Sequence, residues 1–432
     1  MGDALRMKKS CNPTLGVAPR YVHYIQGFMK NIFHYSLFMI HLFGICSIVF
    51  HCTPSPFQID TDFPGGNIIV RNIIGDSIQL EQDLRDTEGH WFYWSFRVQG
   101  AAGRTLNFEF MNGSVISSRG PAVSVDGGDS WRWLGDLDFS ETQFQYTFGP
   151  TENEVYFCMG MNYTEKDLRR FLDRYKHHPN LRIETLCTTG KGREVELLRI
   201  HDNDSEPDYK ILLFSRHHAG EMMATRALEG LMETVLSDTE EGRWLRTHGD
   251  FFIVPFVDKD GVEDGDQGKN RRPHDHNRDY IQRIYPAIKA ITEQVPEWLD
   301  GKPVFLLDMH CPMHRGGGDE CLHFSGANRR LPNYEEIVNK KYRFGTLLKT
   351  LKKGAIPTEV SYSQRSPNTV PDATLSNLQN CQDWGESLPN IIFSSTLETP
   401  FSNASGVEVN EKTTREFGHD IARTIRAYLE TN

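Results

Sequence analysis

Three stretches of this chain carry side chains whose types and spacing could do chemistry together. The first is Arg216-His217-His218-Ala219-Gly220-Glu221, where an imidazole and a carboxylate stand three residues apart. At a strand-to-helix turn both can face one cation, which makes half of a zinc site. Of the two adjacent histidines, only His218 keeps the three-residue step to Glu221. The second is Phe305-Leu-Leu-Asp-Met-His310, an apolar run that ends on a histidine. Alone, His310 reads as a satisfied interior histidine. Beside His218 and Glu221 it becomes a third ligand, and two His and one Glu with an open fourth position form a catalytic zinc set. The third stretch, Ile391-Ile-Phe-Ser-Ser-Thr-Leu-Glu398-Thr-Pro400, holds one carboxylate inside an apolar run. A buried Glu is costly unless it is paired, protonated or aimed into a polar cavity. Near zinc it is placed to serve as general base toward water. The plainer alternative is a structural salt bridge.

These residues need elements to position them. Tyr209 to Phe214 is a short apolar run of buried-strand type. Met222, Met223, Ala227, Leu228, Leu231 and Met232 then recur at helical spacing. His218 and Glu221 therefore sit where a strand ends and a helix begins, the edge at which open α/β sheets bind ligands. Strands are expected over Glu194–Ile200, Lys210–Phe214, Phe251–Val257, Val304–Met309 and Ile391–Leu397. Helices are expected over Glu221–Leu236, most of Tyr280–Val295, Tyr334–Leu351 and Thr413–Leu429. This alternation predicts an α/β domain with a mixed, largely parallel sheet flanked by helices. Asn67 to Met161 is instead β-rich: Trp91-Phe-Tyr-Trp94-Ser-Phe96-Arg-Val98 and Thr105-Leu-Asn-Phe108-Glu-Phe110 alternate as strands. Asn112-Gly113 and Asp126-Gly127-Gly128-Asp129 supply hairpin-type turns. That pattern predicts a small antiparallel β-sandwich. Tyr163–His177, with Thr164 and Asp167 as its start, is the expected helical bridge between the two.

At 432 residues, 38% hydrophobic and 24% charged, the chain has material for several globular domains. The net charge of −11 argues against a general nucleic-acid binder. Ser36–Cys52 is apolar apart from two His and two Ser, and no Asp or Glu occurs between Leu5 and Asp60. Read from Met29-Lys30, this is a basic n-region followed by an apolar h-region, the pattern of a secretory signal. An uncleaved anchor is the rival, although the run is short for a full span. The expectation is therefore an exported protein, periplasmic or secreted, touching membrane only through that segment, and cytoplasmic if the segment is not part of the working protein. Eight Cys include five beyond Cys52 with no CxxC, so no zinc ribbon or full disulfide framework is indicated. A Cys311–Cys321 bridge and buried thiols are both open.

Taken in order, His218-x-x-Glu221, Asp275-His-Asn277-Arg278, His310 and Thr396-Leu-Glu398 resemble the zinc metallocarboxypeptidases of the carboxypeptidase A superfamily. The resemblance is closest to the cytosolic carboxypeptidase-like branch, which carries a β-sandwich ahead of its catalytic domain. Gly190-Lys-Gly-Arg193-Glu-Val-Glu-Leu-Leu-Arg-Ile200 also resembles the first hairpin of the family's catalytic domain.

The resemblance implies one zinc ion per chain on His218, Glu221 and His310, and Asp275 orienting the first ligand histidine. It implies Asn277 and Arg278 as the grip on a substrate's terminal carboxylate, a task suited to the Arg fork. An arginine shortly before that pair would face the tetrahedral oxyanion; Arg271 and Arg272 both qualify, with Arg271 favoured and Arg272 kept as a substrate contact. In isolation this basic loop would read as solvated. Glu398 would be base and then proton donor. The chain departs from the family where a substrate-capping Tyr is expected, since Thr374–Asn380 contains none, and Gln382–Glu386 spells no familiar specificity. His217, His274, His276, His314 and His323 are expected as pocket lining.

The expected division is residues 1–55 as signal or anchor, 56–162 as sandwich and 163–432 as catalytic domain. The expected activity is removal of C-terminal residues from peptides or proteins. An N-acyl amino acid amidohydrolase of the same fold, and a non-catalytic peptide- or glycan-binding module, are the alternatives.

Overall fold

A computed structural model describes residues 57–135, 139–328, 331–358, 361–363 (backbone only) and 379–432. The apolar segment before Thr53 and the Tyr-less stretch Thr374–Leu378 lie outside the described residues. Among those described, no helix is long and apolar enough to cross a membrane.

The N-terminal part contains β1 (Gln58–Asp60), β2 (Ile69–Ile74), β3 (Ser77–Glu81), β4 (Ser95–Gln99), β5 (Thr105–Phe110), β6 (Ala122–Ser124), β7 (Arg132–Trp133), β8 (Gln143–Thr147) and β9 (Glu154–Cys158). They form a five-stranded sheet, β1-β4-β9-β6-β7, and a four-stranded sheet, β2-β3-β5-β8. Alternate residues of β5 and β8 point inward, so Phe108 and Phe144 stack between the sheets at 4.7 Å. The pairing is antiparallel except for β3 beside β5, which is parallel. The turn at Asp126–Asp129 joins β6 to β7 as a hairpin, whereas the chain after Asn112-Gly113 does not fold back on β5.

The strand expected from Trp91 begins only at Ser95. The reason is a side chain that occupies the ladder. Gln267 accepts from the Tyr93 N–H at 2.8 Å and donates to its carbonyl at 2.7 Å, and Gln82 donates to the Trp91 carbonyl. These amides satisfy the backbone in place of a neighbouring strand.

The C-terminal part runs α1 (Glu165–Asp173), β10 (Leu181–Thr188), β11 (Glu194–Ile200), β12 (Tyr209–Ser215), α2 (Met222–Val235), α3 (Glu240–His248), β13 (Gly249–Val254), α4 (Lys259–Asp264), α5 (Pro286–Trp298), β14 (Val304–His310), β15 (His323–Ser325), α6 (Tyr334–Leu351), β16 (Ser361–Ser363), α7 (Cys381–Gly385), β17 (Ile391–Glu398) and α8 (Glu411–Glu430). Eight strands order as β10-β11-β13-β12-β14-β17-β15-β16, with β13, β12, β14 and β17 mutually parallel at the centre. Every residue of β13 and β14 is buried, as strands covered on both faces must be. The Thr164–Asp167 capping box starts α1. The helix expected from Tyr280 starts later, at Pro286, because Asp279 accepts the Ile284 and Tyr285 N–H groups and holds the preceding turn open.

Helix α2 is buried along most of its length, under α8. The two approach closely because Gly230 and Gly418 face each other's backbones; a Cβ on Gly230 would overlap the Arg415 carbonyl. Gly230→Ala is therefore expected to cost about 1–3 kcal/mol through overpacking, against a helix-propensity gain of roughly 1 kcal/mol at an unobstructed site. A melting curve checks this, and a raised midpoint would show that α8 can shift at no cost. Cys158, Cys311 and Cys381 are buried thiols, and Cys321 Sγ bonds the Gly318 carbonyl, so Cys311 and Cys321 are not bridged.

Candidate active site

The site lies beyond the carboxyl ends of three neighbouring parallel strands. His217 and His218 follow β12, His310 ends β14, and Glu398 ends β17. The register sets Ser215 beside Met309 and His310 beside Glu398, so strand order alone brings the three stretches to one crevice. The turn after β12 is fixed by Arg216, a buried residue with φ +58° whose guanidinium donates to the carbonyls of Ala219 and Tyr163.

Three side chains converge there. His218 Nδ1 is 2.9 Å from Glu221 Oε1. His310 Nδ1 is 2.8 Å from Glu221 Oε2 and 3.1 Å from His218 Nδ1. Each of the three thus offers a donor atom close enough to the others to hold one cation, and the Lys269 ammonium also lies 2.7 Å from Glu221 Oε1. Ligands 2.0–2.1 Å from a tetrahedral zinc stand about 3.3 Å apart, so the donor set fits that ion. Burial opposes the charge on Glu221, but Lys269, His218 and His310 together hold its carboxyl well below the usual range.

Each ligand imidazole has a carboxylate behind it. Asp275 Oδ1 lies 3.8 Å from His218 Nε2, and Asp308 Oδ2 lies 2.7 Å from His310 Nε2. Asp308 also meets His217 Nδ1 at 2.8 Å, and His217 Nε2 meets the Tyr280 hydroxyl at 2.8 Å. Despite the cost of burial, the two histidines keep Asp308 ionised well below the usual range. Such carboxylates fix the ring orientation and tautomer of a ligand. Asp308 was not singled out from sequence, although residues two apart on a strand share a face and Asp308 stands two before His310. His217, Asp308 and His310 also form a metal-capable trio. Their ring nitrogens and carboxylate oxygens are already paired with one another and with Tyr280, which marks them as the support of the first cluster.

A cavity of about 430 Å³ opens over this centre, and Glu398, Asn277, Arg278, Asp275 and Arg271 all line it. Glu398 Oε1 is 3.4 Å from Ser325 Oγ, while its Oε2 is buried with no hydrogen-bond partner among the described residues. Asn277 Oδ1 accepts from the Cys381 N–H at 3.0 Å, and its Nδ2 stands 3.5 Å from His310 Nε2. Arg278 reaches the cavity with one guanidinium nitrogen on the Asn277 carbonyl.

Arg272 is not brought to the site: its side chain is exposed and ion-paired with Glu88. Arg271 is present but enclosed, with Asp86 at 2.9 Å, Asp258 at 2.6 Å and Asp266 at 2.9 Å. Of the five other histidines expected as lining, His274 takes that place. His217 lies behind the centre, His276 stacks on Tyr285 at 3.7 Å, His314 packs on Phe92, and His323 sits on β15 opposite Glu398. Gln382 is buried, accepting from the Thr396 N–H and from Lys341. Among the lining residues not singled out from sequence are Trp91, from the N-terminal part, and Lys269.

Comparison with known proteins agrees with this layout. A family model described as zinc carboxypeptidase matches residues 168–303, and one described as cytosolic carboxypeptidase N-terminal domain matches 59–159. An uncharacterized protein of Zymomonas mobilis is 26% identical over 299 residues, 66% of this chain and 74% of its own length. Cytosolic carboxypeptidase 2 of Homo sapiens is 24% identical over 204 residues, 44% of this chain but only 22% of that protein. The chain thus spans about a fifth of that relative. Among solved structures, a metallo-carboxypeptidase from Burkholderia cenocepacia superposes with a TM-score of 0.70 at 20% identity, covering 87% of this chain and all of that one. A metallo-carboxypeptidase from Pseudomonas aeruginosa, in complex with (2-guanidinoethylmercapto)succinic acid, gives 0.68 at 21% identity, covering 86% and 99%. These likenesses establish the fold, sandwich included.

Proposed function

We propose that the chain hydrolyses the C-terminal peptide bond of peptides or proteins, with one zinc ion per chain, a reading supported by the zinc carboxypeptidase match over residues 168–303 and the cytosolic carboxypeptidase N-terminal domain match over 59–159. The observation that carries this reading is the meeting, in one cavity, of a His-Glu-His donor set, an unpartnered Glu398 oxygen and the Arg278 guanidinium. His218, Glu221 and His310 would hold the metal, with Asp275 and Asp308 setting the two imidazoles. When bound, zinc supplies Lewis acidity toward the scissile carbonyl and acidifies a water in its open position.

Glu398 takes the proton of the attacking water and later delivers it to the leaving amine; its unpartnered oxygen is free to do so. Arg278 binds the terminal carboxylate through its guanidinium. A single fixed cation for a chain end restricts cleavage to the last residue, because an internal bond offers no carboxylate at that point. Asn277, its Oδ1 accepting from the Cys381 N–H and its Nδ2 lining the same pocket, joins Arg278 on that carboxylate. Removal of residues from protein C-termini, rather than short peptides alone, and export through Ser36–Cys52 both rest on sequence.

Elemental analysis together with a panel of peptides varied at the last residue tests the proposal. We expect one zinc per chain and release of single C-terminal amino acids, lost on blocking the terminus as an amide. Hydrolysis of N-acyl amino acids with peptides untouched would move the assignment to an amidohydrolase. No zinc and no hydrolysis would leave a binding module.

A further inference from the structure

Peptide hydrolysis places negative charge on the former carbonyl oxygen, and an active site gains from a cation held at that point. The residue expected there by resemblance is poorly placed to supply it. Arg271 is bounded by the carboxylates of Asp86, Asp258 and Asp266, all within 2.9 Å. Even with Arg85 also on Asp266 at 2.8 Å, two positive charges stand among three negative ones, and each nitrogen of the Arg271 guanidinium already meets a carboxylate. Arg272 points away and is paired with Glu88. Arg278 is committed, on the reading above, to the terminal carboxylate.

Lys269 is the remaining lysine or arginine lining the cavity. Its ammonium lies 2.7 Å from Glu221 Oε1 and 5.2 Å from the centroid of the Trp91 ring. The backbone that carries it is set by the N-terminal part of the chain. Thr87 Oγ1 donates to the Lys269 carbonyl at 2.5 Å, and the Asp86 carboxylate accepts the N–H groups of Gln267 and Gly268 at 3.0 and 2.9 Å. Gly268, at φ +76°, lies so close under Ala219 that a Cβ would overlap its backbone nitrogen. The loop is thereby pressed against the metal-binding turn, with Lys269 as the next residue.

Building on the proposed carboxypeptidase activity, we propose that Lys269, and not Arg271, is the catalytic cation that meets the developing oxyanion, held in place by the segment Asp86–Tyr93 of the N-terminal domain. A lysine is a compact point charge on a flexible stem, suited to one oxygen rather than a planar pair. The Trp91 ring, 5.2 Å from the ammonium, favours its charged form. The N-terminal domain then contributes to turnover by fixing a loop and one wall of the cavity.

Lys269→Met, which keeps the stem and removes the charge, and Lys269→Arg test this. The readouts are zinc per chain, kcat and KM on a cleaved peptide, and calorimetric affinity for a phosphonate peptide analogue and for the product amino acid. We expect Lys269→Met to keep its zinc and its product affinity. Its kcat should fall by about 10²–10³-fold, the usual loss of one oxyanion donor, and its phosphonate affinity should fall with it. Lys269→Arg should recover part of both. Unchanged phosphonate affinity, or loss of zinc in proportion to activity, would overturn the proposal, the latter by showing that Lys269 acts only to position Glu221. If the unaltered protein binds zinc but cleaves no peptide, the failure belongs to the assigned activity instead.

Discussion

Glu398→Gln lowers kcat on a C-terminally unblocked peptide by about 10²–10⁴-fold, the span of a lost general acid–base group, while zinc content and substrate KM stay near those of the unaltered protein. The substitution preserves shape and hydrogen-bonding capacity and removes only basicity. Glu398 is not among the metal-capable donors, so the ion should remain. The one side-chain hydrogen bond it shows among the described residues is a long one from Ser325, so neither the fold nor β17 should suffer. The expected signature is a folded, metal-loaded, nearly inert protein, measured by steady-state kinetics beside elemental analysis. Retention of more than about a tenth of kcat would fall outside the general-base range and remove Glu398 from the reaction.

His310→Ala abolishes stoichiometric zinc, and with it all turnover. His310 belongs to both metal-capable clusters, so its loss leaves neither with a complete donor set. It also strips Asp308 of one of its two histidine partners inside a fully buried pocket. Asp308→Asn, which weakens only the support, should lower zinc affinity by about 10–100-fold. His217→Ala separates the clusters: if the ion sits on His218, Glu221 and His310, that variant still loads. Competition with a chromophoric chelator measures all three. Zinc retained by His310→Ala at full stoichiometry, or lost only in His217→Ala, would move the metal out of the assigned centre.

What could be read from the chain follows from how local the signal is. His218 and Glu221 were legible because a strand, a turn and a helix succeed each other within a few residues. His310 and Glu398 were legible because each ends an apolar run, and parallel strands deliver such ends to one edge. The choice between Arg271 and Arg272 was not legible, and Lys269 did not stand out, since all three lie in one basic loop. What decides it is the placement of Asp86, Asp258 and Asp266, one of which belongs to the other end of the fold. Trp91 was lost for a related reason. Its neighbours alternate like a strand, but a glutamine side chain from the catalytic part pairs with their backbone. The parallel pairing of β3 with β5 likewise rests on contacts distant in sequence.

That glutamine has a wider consequence. Sequence similarity breaks the chain into two stretches that meet between residues 159 and 168, a seam that invites excision at the level of the gene. Physically the seam is not a parting line. Gln267 and Tyr93 exchange paired bonds, Asn67 donates to the Gly265 carbonyl at 2.7 Å, Trp133 donates to the Val409 carbonyl, and Gly220 lies against the Tyr93 ring. Cutting there would leave backbone amides beside the reaction centre without acceptors and a greasy wall open to water. The matched stretches are two, but Pro54–Asn432 packs as one compact unit, and a single melting transition is expected of it.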